Sequence, residues 1–191
     1  MILKEDLLTC YLIFCQYNLS FVHSIFLSAI RERNFKNNNF KYRQMKNYQR
    51  FKGLIAASFT PMDVFGKINL SVIDRYADLM AESGLSGVFV CGTTGESHSL
   101  TTDERKKVLE RWVESSQGRF KVIAHVGSDS QIEAMDLASH AYEVGADAFA
   151  AMAPCFFKPS TVKDLITFFE PIARSAEELP FYYYNMPSMT G

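Results

Sequence analysis

From residue 53 onward, short apolar runs alternate with longer segments in which apolar residues recur at helical spacing. The apolar runs are too short for ordinary helices and are bounded by glycine, proline or polar residues, so they predict strands. Five strands are predicted, at residues 53–59, 87–91, 121–126, 146–151 and 179–184. The chain is therefore predicted to repeat a strand and a helix.

Polar residues mark the ends of the first two predicted helices. Asn69 is predicted to cap the first helix, and Gly84 to end it. Thr101 and Glu104 have the spacing of a capping box, in which the hydroxyl accepts from a first-turn amide and the carboxylate reaches back. The inward side of the second helix is predicted to carry Val108, Leu109, Trp112 and Val113.

The next two helices have similar signals at their ends. The third is predicted from about Ser130 to Val144, with Gly145 closing it. Ser160 is predicted to cap the fourth helix. Pro171 should break or kink that helix, because proline has no amide hydrogen to donate to the preceding turn.

The predicted strands are apolar on both faces, which is typical of a parallel sheet covered by helices. The fold class is therefore α/β, either an open doubly wound sheet or a closed eight-stranded barrel. The first strand is not followed by GxGxxG, which disfavours a dinucleotide-binding domain. Five βα units are too few to close a barrel, which typically needs about 250 residues.

Charge divides the chain of 191 residues near residue 52. Residues 31–52 carry eight Lys and Arg against Glu32 alone, whereas residues 53–191 have a net charge of −7. The basic stretch has little apolar periodicity and is predicted to be disordered. The overall net charge is only −1, and we expect no nucleic-acid partner. Residues 1–50 are accordingly interpreted as a leader, and residues 51–191 as the folded domain.

The leader also contains an uncharged segment from Leu7 to Ile30, which is long enough to span a bilayer as a helix. Polar residues interrupt this segment and weaken the prediction of a membrane span, namely Gln16, Asn18, Ser20, His23 and Ser24. Membrane contact is therefore less favoured than an added leader without a role in the fold.

The cysteines give no sign of a metal centre. They form no CxxC pair and no zinc-like spacing with histidine, and are Cys10, Cys15, Cys91 and Cys155. We predict reduced thiols in a cytoplasmic protein that requires no metal or cofactor.

Candidate chemistry lies where strands end. The run from Gly92 to Glu96 follows the second strand, and its two glycines are expected to let the backbone turn tightly. Thr93 and Thr94 offer hydroxyl and N–H groups to one small anion such as a carboxylate, although an ordinary capped turn has the same composition. Tyr184 ends the fifth strand at the same rim, where its phenol could relay a proton. His125 is predicted to be a hydrogen-bonded core residue.

Four motifs together resemble the pyruvate-dependent class I aldolases, which comprise N-acetylneuraminate lyases and dihydrodipicolinate synthases. They are GLIAA with Thr60-Pro61, GTTGES at 92–97, HVG at 125–127 and YYYNMPSMTG at 182–191. The resemblance covers residues 51–191 and implies a (β/α)₈ TIM barrel that is usually a homotetramer. It also implies that Thr93 and Thr94 bind the pyruvate carboxylate and that Tyr184 is the proton donor or relay.

Details of the motifs resemble the lyases more than the synthases. Met189 replaces an arginine, and Phe156 replaces a tyrosine, that are typical of synthases. The resemblance thus implies cleavage of N-acetylneuraminate to N-acetylmannosamine and pyruvate. The synthase reaction, another 2-keto-acid aldolase and a non-catalytic half-barrel that binds small carboxylates or a full-length homologue are the alternatives. Family members form a Schiff base on a lysine of the sixth strand. We expect this chain to be C-terminally truncated before that lysine, with the first five βα units only, and to be inactive as given.

Overall fold

A computed structural model describes residues 51–191 of the protein. Five parallel strands form a single sheet in the order in which they occur along the chain. They are β1 (Ile55–Ala57), β2 (Gly87–Val90), β3 (Lys121–His125), β4 (Ala148–Ala151) and β5 (Phe181–Tyr183). All five predicted strands are confirmed, and each is shorter than its apolar run because the pairing with a neighbour decides where a strand ends.

Helices connect successive strands, as the apolar spacing predicted. They are α1 (Ser71–Glu82), α2 (Thr102–Ser116), α3 (Gln131–Glu143) and α4 (Val162–Arg174), with a short 3₁₀ turn at Ser97–Ser99 and a final turn, α5 (Pro187–Thr190). The capping box of Thr101 and Glu104 is present, and Gly84 and Gly145 follow α1 and α3 with positive φ. These caps satisfy backbone groups that a helix end would otherwise leave unpaired.

The two faces of the sheet are covered differently. One face packs against the helices, and its core includes Ile73, Trp112 and Phe169. The other, which we call the inner face, carries a separate cluster made of strand residues and Phe51, with no helix residue among the described part of the chain: Phe51, Ile55, Phe89, Ile123, Ala148, Ala150, Tyr182 and Tyr184. A doubly wound sheet has helices on both faces, so this arrangement is that of a barrel.

The inner face is strongly curved. In a flat sheet β2 and β5, three strands apart, would lie about 14 Å from each other at roughly 4.8 Å per strand. The ring centroids of Phe89 on β2 and Tyr184 at the end of β5 are nevertheless only 5.1 Å apart. The five strands therefore curl around the inner face as part of a barrel wall.

Two predicted helix caps are wrong by one residue. The N-cap of α1 is Leu70. Asn69 does not cap the helix, because its side-chain oxygen accepts from the Ser71 hydroxyl and not from a first-turn amide, while its backbone N–H donates to Pro61 O. The cap of α4 is Thr161 rather than Ser160. A capping box needs an acidic residue three positions later, and Asp164 stands there for Thr161.

Pro171 does not break α4, so of the two predicted outcomes, a break or a kink, the break is wrong. The helix runs through it to Arg174. Proline leaves the carbonyl of Thr167 without its usual helical donor. The side-chain amide of Gln131, at the start of α3, donates to Phe168 O at 2.9 Å and to Thr167 O at 3.4 Å. The neighbouring helix thus places a donor beside the carbonyl that Pro171 leaves unpaired, although its shorter bond is to the next carbonyl.

Within residues 51–191 no helix is both long and apolar enough to cross a membrane. The predicted leader at residues 1–50, and the segment from Leu7 to Ile30 for which membrane contact was the less favoured interpretation, lie outside the described residues.

Candidate active site

The loop after β2 is built on two unusual backbone conformations. Cys91 and Glu96, which flank it, both have φ of 55° in the left-handed region that non-glycine residues rarely adopt. The two glycines let the backbone turn tightly, as predicted, because a side chain at either position would clash. A Cβ on Gly92 would lie 2.7 Å from the Phe89 ring, and one on Gly95 would lie 3.0 Å from Cys91 Cα. Glycine is required here because the loop folds directly over the end of β2.

Residues at the end of β1 hold this loop in place. The buried Thr60 hydroxyl donates to Gly95 O at 2.8 Å, and the buried Ser58 hydroxyl donates to Phe89 O at 3.3 Å. Within the loop, the Glu96 N–H donates to Thr93 O at 3.0 Å. The position of Thr93 is therefore fixed by bonds on both sides.

The structure brings two of the three predicted site residues together. Thr93 Oγ1 and Tyr184 Oη lie 3.1 Å apart, although β3 and β4 separate their strands in the sheet. Either hydroxyl can act as the donor. Thr94 is exposed next to Thr93, and none of the described hydrogen bonds uses its side chain. At the carboxyl ends of the strands, the hydroxyls of Thr93 and Tyr184 thus form a pair, and the exposed Thr94 lies beside it.

Tyr184 is held from several directions. Its N–H donates to Ala151 O at 2.9 Å, which continues the β4–β5 ladder. Its ring meets Phe89 and His125 edge-on, with centroids 5.1 and 5.7 Å away. Tyr182 packs against Phe51, and Tyr183 packs against Phe169.

Below the loop lies a buried group of polar side chains. His125 Nδ1 donates to Cys91 O at 2.8 Å, which confirms the prediction of a hydrogen-bonded core histidine. Burial, assisted by the nearby Arg105 charge, lowers the pKa of His125 to about 3, so the ring is neutral. Burial also raises the pKa of the Cys91 thiol to about 11, which keeps it protonated and unreactive near neutral pH.

Arg105 is 94% buried and was missed by the sequence analysis. Its guanidinium donates to His125 O at 2.7 Å and to Gly127 O at 2.9 Å, and burial lowers its pKa. The sequence pattern does indicate an inward position for Arg105, because it occupies the same helical stripe as Val108, Leu109 and Trp112. A charge at an inward position of a predicted helix indicates a specific buried partner.

The outer rim of the site is tied together by Asp129. Its carboxylate accepts from the N–H of Cys155 at 2.6 Å and of Phe156 at 3.4 Å, linking the loops after β3 and β4. Phe156 and its neighbour Phe157 are 76% and 84% exposed. The role of Asp129 was not predicted either, because nothing in the sequence distinguishes it from an ordinary exposed carboxylate.

Comparison with known proteins supports a lineage for this architecture. The sequence profile of the dihydrodipicolinate synthetase family matches residues 50–191. N-acetylneuraminate lyase of Mus musculus is 49% identical over 147 residues, which are 75% of this chain and 45% of the mouse protein. The Homo sapiens lyase is 48% identical over 145 residues, with the same coverage of each chain. This chain thus spans about half the length of the relatives it matches.

Solved structures of both enzyme types share the fold. N-acetylneuraminate lyase of Proteus mirabilis superposes with a TM-score of 0.70 at 43% identity, over 71% of this chain and 46% of that one. Dihydrodipicolinate synthase of Aquifex aeolicus gives 0.69 at 36% identity, over 73% and 47%. The five described strands are therefore consecutive strands of a (β/α)₈ barrel, and the chain belongs to the dihydrodipicolinate synthetase family.

Proposed function

We propose that this protein is a pyruvate-dependent aldolase that cleaves N-acetylneuraminate to N-acetylmannosamine and pyruvate, and that residues 51–191 supply its pyruvate site. The observation that carries the proposal is the 3.1 Å contact between the hydroxyls of Thr93 and Tyr184. It joins an anion-binding loop to a proton-relaying phenol at the carboxyl ends of the strands, where barrel enzymes keep their chemistry.

In this proposal the loop after β2, from Gly92 to Glu96, binds the carboxylate of pyruvate, and we call it the carboxylate loop. The hydroxyls of Thr93 and Thr94 and neighbouring backbone N–H groups donate to its two oxygens. The loop needs little rearrangement on binding, because Thr60 and the left-handed residues at its ends already fix it. Preorganised donors contribute more to binding than donors that must first be ordered.

Tyr184 moves the proton in the carbon–carbon step. The substrate forms an imine with a lysine that we assign to a sixth strand, outside the described residues. As the bond breaks, the phenol oxygen of Tyr184 takes the proton of the hydroxyl on the carbon that becomes the aldehyde and passes its own proton through the exposed Thr93 hydroxyl to solvent. The bonding electrons enter the protonated imine to form an enamine, whose carbon then takes up a proton by the reverse route. Thr93, within hydrogen-bond distance of the phenol, orients it and shares the proton.

The choice of substrate rests on the rim and on the relatives. Met189 and Phe156 are exposed and bring neither a fixed positive charge nor a phenol to these two positions. A substrate with a second carboxylate would need such a partner, whereas a neutral acyl-amino sugar would not. The named relatives at 48–49% identity are N-acetylneuraminate lyases, which supports the same choice.

A second candidate is a carboxylate-binding protein without aldolase activity. It is favoured by the completeness of the carboxylate loop and Tyr184 within five strands. Pyruvate would then bind reversibly, without bond cleavage.

Protein isolated from its native source decides between these functions. We expect N-acetylneuraminate to be cleaved with release of pyruvate, measured with a coupled lactate dehydrogenase assay. Pyruvate binding without any release would favour the carboxylate-binding protein, and the absence of both would overturn the proposal. The homotetramer and the cytoplasmic location remain predictions, and light scattering of the same preparation tests the first.

A further inference from the structure

We propose that His125 is a positioning residue, whose Nδ1–H holds the Cys91 carbonyl and thereby aims Thr93 at Tyr184. The inference rests on the proposed function and extends it to a residue with no direct substrate contact. It begins with Cys91, the residue immediately before the carboxylate loop. A left-handed conformation at a non-glycine residue persists only where surrounding contacts enforce it. The hydrogen bond from the buried His125 ring to Cys91 O is such a contact.

The protonation state of the His125 ring fixes the direction of its hydrogen bond to Cys91 O. His125 is 97% buried and neutral, and a carbonyl can only accept, so Nδ1 carries the hydrogen and Nε2 does not. Nε2 has no hydrogen-bond partner within the described residues. It lies against Gly127, where a Cβ would be only 2.7 Å away. The site thus retains a buried polar ring that makes one side-chain hydrogen bond, to the base of the carboxylate loop.

The backbone around His125 is fixed independently. Arg105 donates to the carbonyls of His125 and Gly127 from the helix-covered face, so the end of β3 cannot shift easily. On the inner face the His125 ring lies edge-on to Tyr184 and Phe89, with centroids 5.7 and 5.8 Å away. One ring therefore contacts the phenol directly and reaches the Thr93 loop through Cys91.

Two substitutions separate the hydrogen bond from the ring. His125→Asn keeps a donor near the position of Nδ1, and His125→Phe keeps a ring but removes the donor. In the full chain we expect H125F to weaken pyruvate binding about tenfold in calorimetric titration, and H125N to stay within about twofold of wild type. Ile123→Val, on the same strand and inner face, is the matched control that lowers stability while leaving the affinity unchanged.

Wild-type affinity in H125F would overturn the proposal. Equal losses in H125F and H125N would also overturn it, because they would indicate a structural role of the ring alone. If wild type does not bind pyruvate, the proposed function fails, and positioning is judged without ligand. The nuclear Overhauser contact between Thr93 and Tyr184 should then persist in H125N and vanish in H125F. Its persistence in H125F would refute positioning.

Discussion

Gly95→Ala should damage the carboxylate site through steric displacement alone. The added methyl group would lie 3.0 Å from Cys91 Cα, 3.1 Å from Cys91 N and 3.1 Å from Ser58 O. All three are backbone atoms, so no flexible side chain can move aside. The loop must shift by a few tenths of an ångström, away from both β1 and β2. Overpacking of this kind costs about 1–3 kcal/mol of unfolding free energy.

The same shift should reduce pyruvate affinity. Gly95 O accepts from the Thr60 hydroxyl at 2.8 Å, and the loop carries both threonines of the site. If the loop relieves half or more of the strain by moving, pyruvate binding must restore that strain. The affinity then falls about tenfold, which corresponds to about 1.4 kcal/mol. Calorimetry measures the affinity. Urea unfolding followed by the fluorescence of Trp112, which is the single tryptophan and fully buried, measures the stability.

Gly145→Ala is the matched control. Gly145 has φ of +83°, and a Cβ there meets no atom within 4 Å, so the substitution adds backbone strain without a clash. It lies before β4, at the opposite end of the strands from the loop. It should cost about 1–2 kcal/mol and leave pyruvate binding unchanged. An unchanged affinity in G95A, or an equal loss in G145A, would refute the steric argument.

Further predictions address the hydroxyl pair, the buried histidine and the proline-containing helix. T93V should weaken pyruvate binding about tenfold in calorimetry, whereas Y184F should bind pyruvate within about threefold of wild type and lose about 10²-fold or more in the rate of N-acetylneuraminate cleavage. Because the folded-state pKa of His125 is about 3 and its ordinary value is 6.5, the unfolded chain takes up this proton first. The stability that the neutral ring contributes should therefore be fully present above pH 6.5. Below that pH the unfolding free energy should fall by about 1.4 kcal/mol per pH unit. Denaturation at pH 7 and at pH 5 should show a smaller loss in H125N than in wild type. Q131A should lower the unfolding free energy by about 1 kcal/mol, and an unchanged urea midpoint would show that the two bonds from Gln131 to α4 do not stabilise the protein.

The repeat of strands and helices was predictable from the sequence because each depends on local signals. Apolar runs located all five strands, and the Thr101 capping box was recognised from two residues. The choice between a doubly wound sheet and a barrel was not predictable from the pattern, since both bury strands on two faces. It is decided by the inner face, where, within residues 51–191, strand residues and Phe51 pack without a helix.

Candidate residues of the site could be proposed from the sequence, whereas the contact between them could not. Motif resemblance identified Thr93, Thr94 and Tyr184, but the contact between Thr93 and Tyr184 depends on the curvature of the sheet. The bond from Gln131 to the helix that contains Pro171 likewise joins residues far apart in sequence. The continuation of α4 through Pro171 was therefore not predictable from the local sequence. Arg105 was predictable in principle from its place on an apolar stripe.

The central claim is that the carboxylate loop and Tyr184 belong to an imine-forming aldolase. Its most direct test is reduction with borohydride in the presence of pyruvate, on protein from its native source, followed by intact mass measurement and peptide mapping. We predict one reduced pyruvate per chain, on a lysine outside residues 51–191, and a diminished yield in T93V. An adduct on Lys158, the lysine in the loop after β4, or no adduct with saturating pyruvate, would contradict the account.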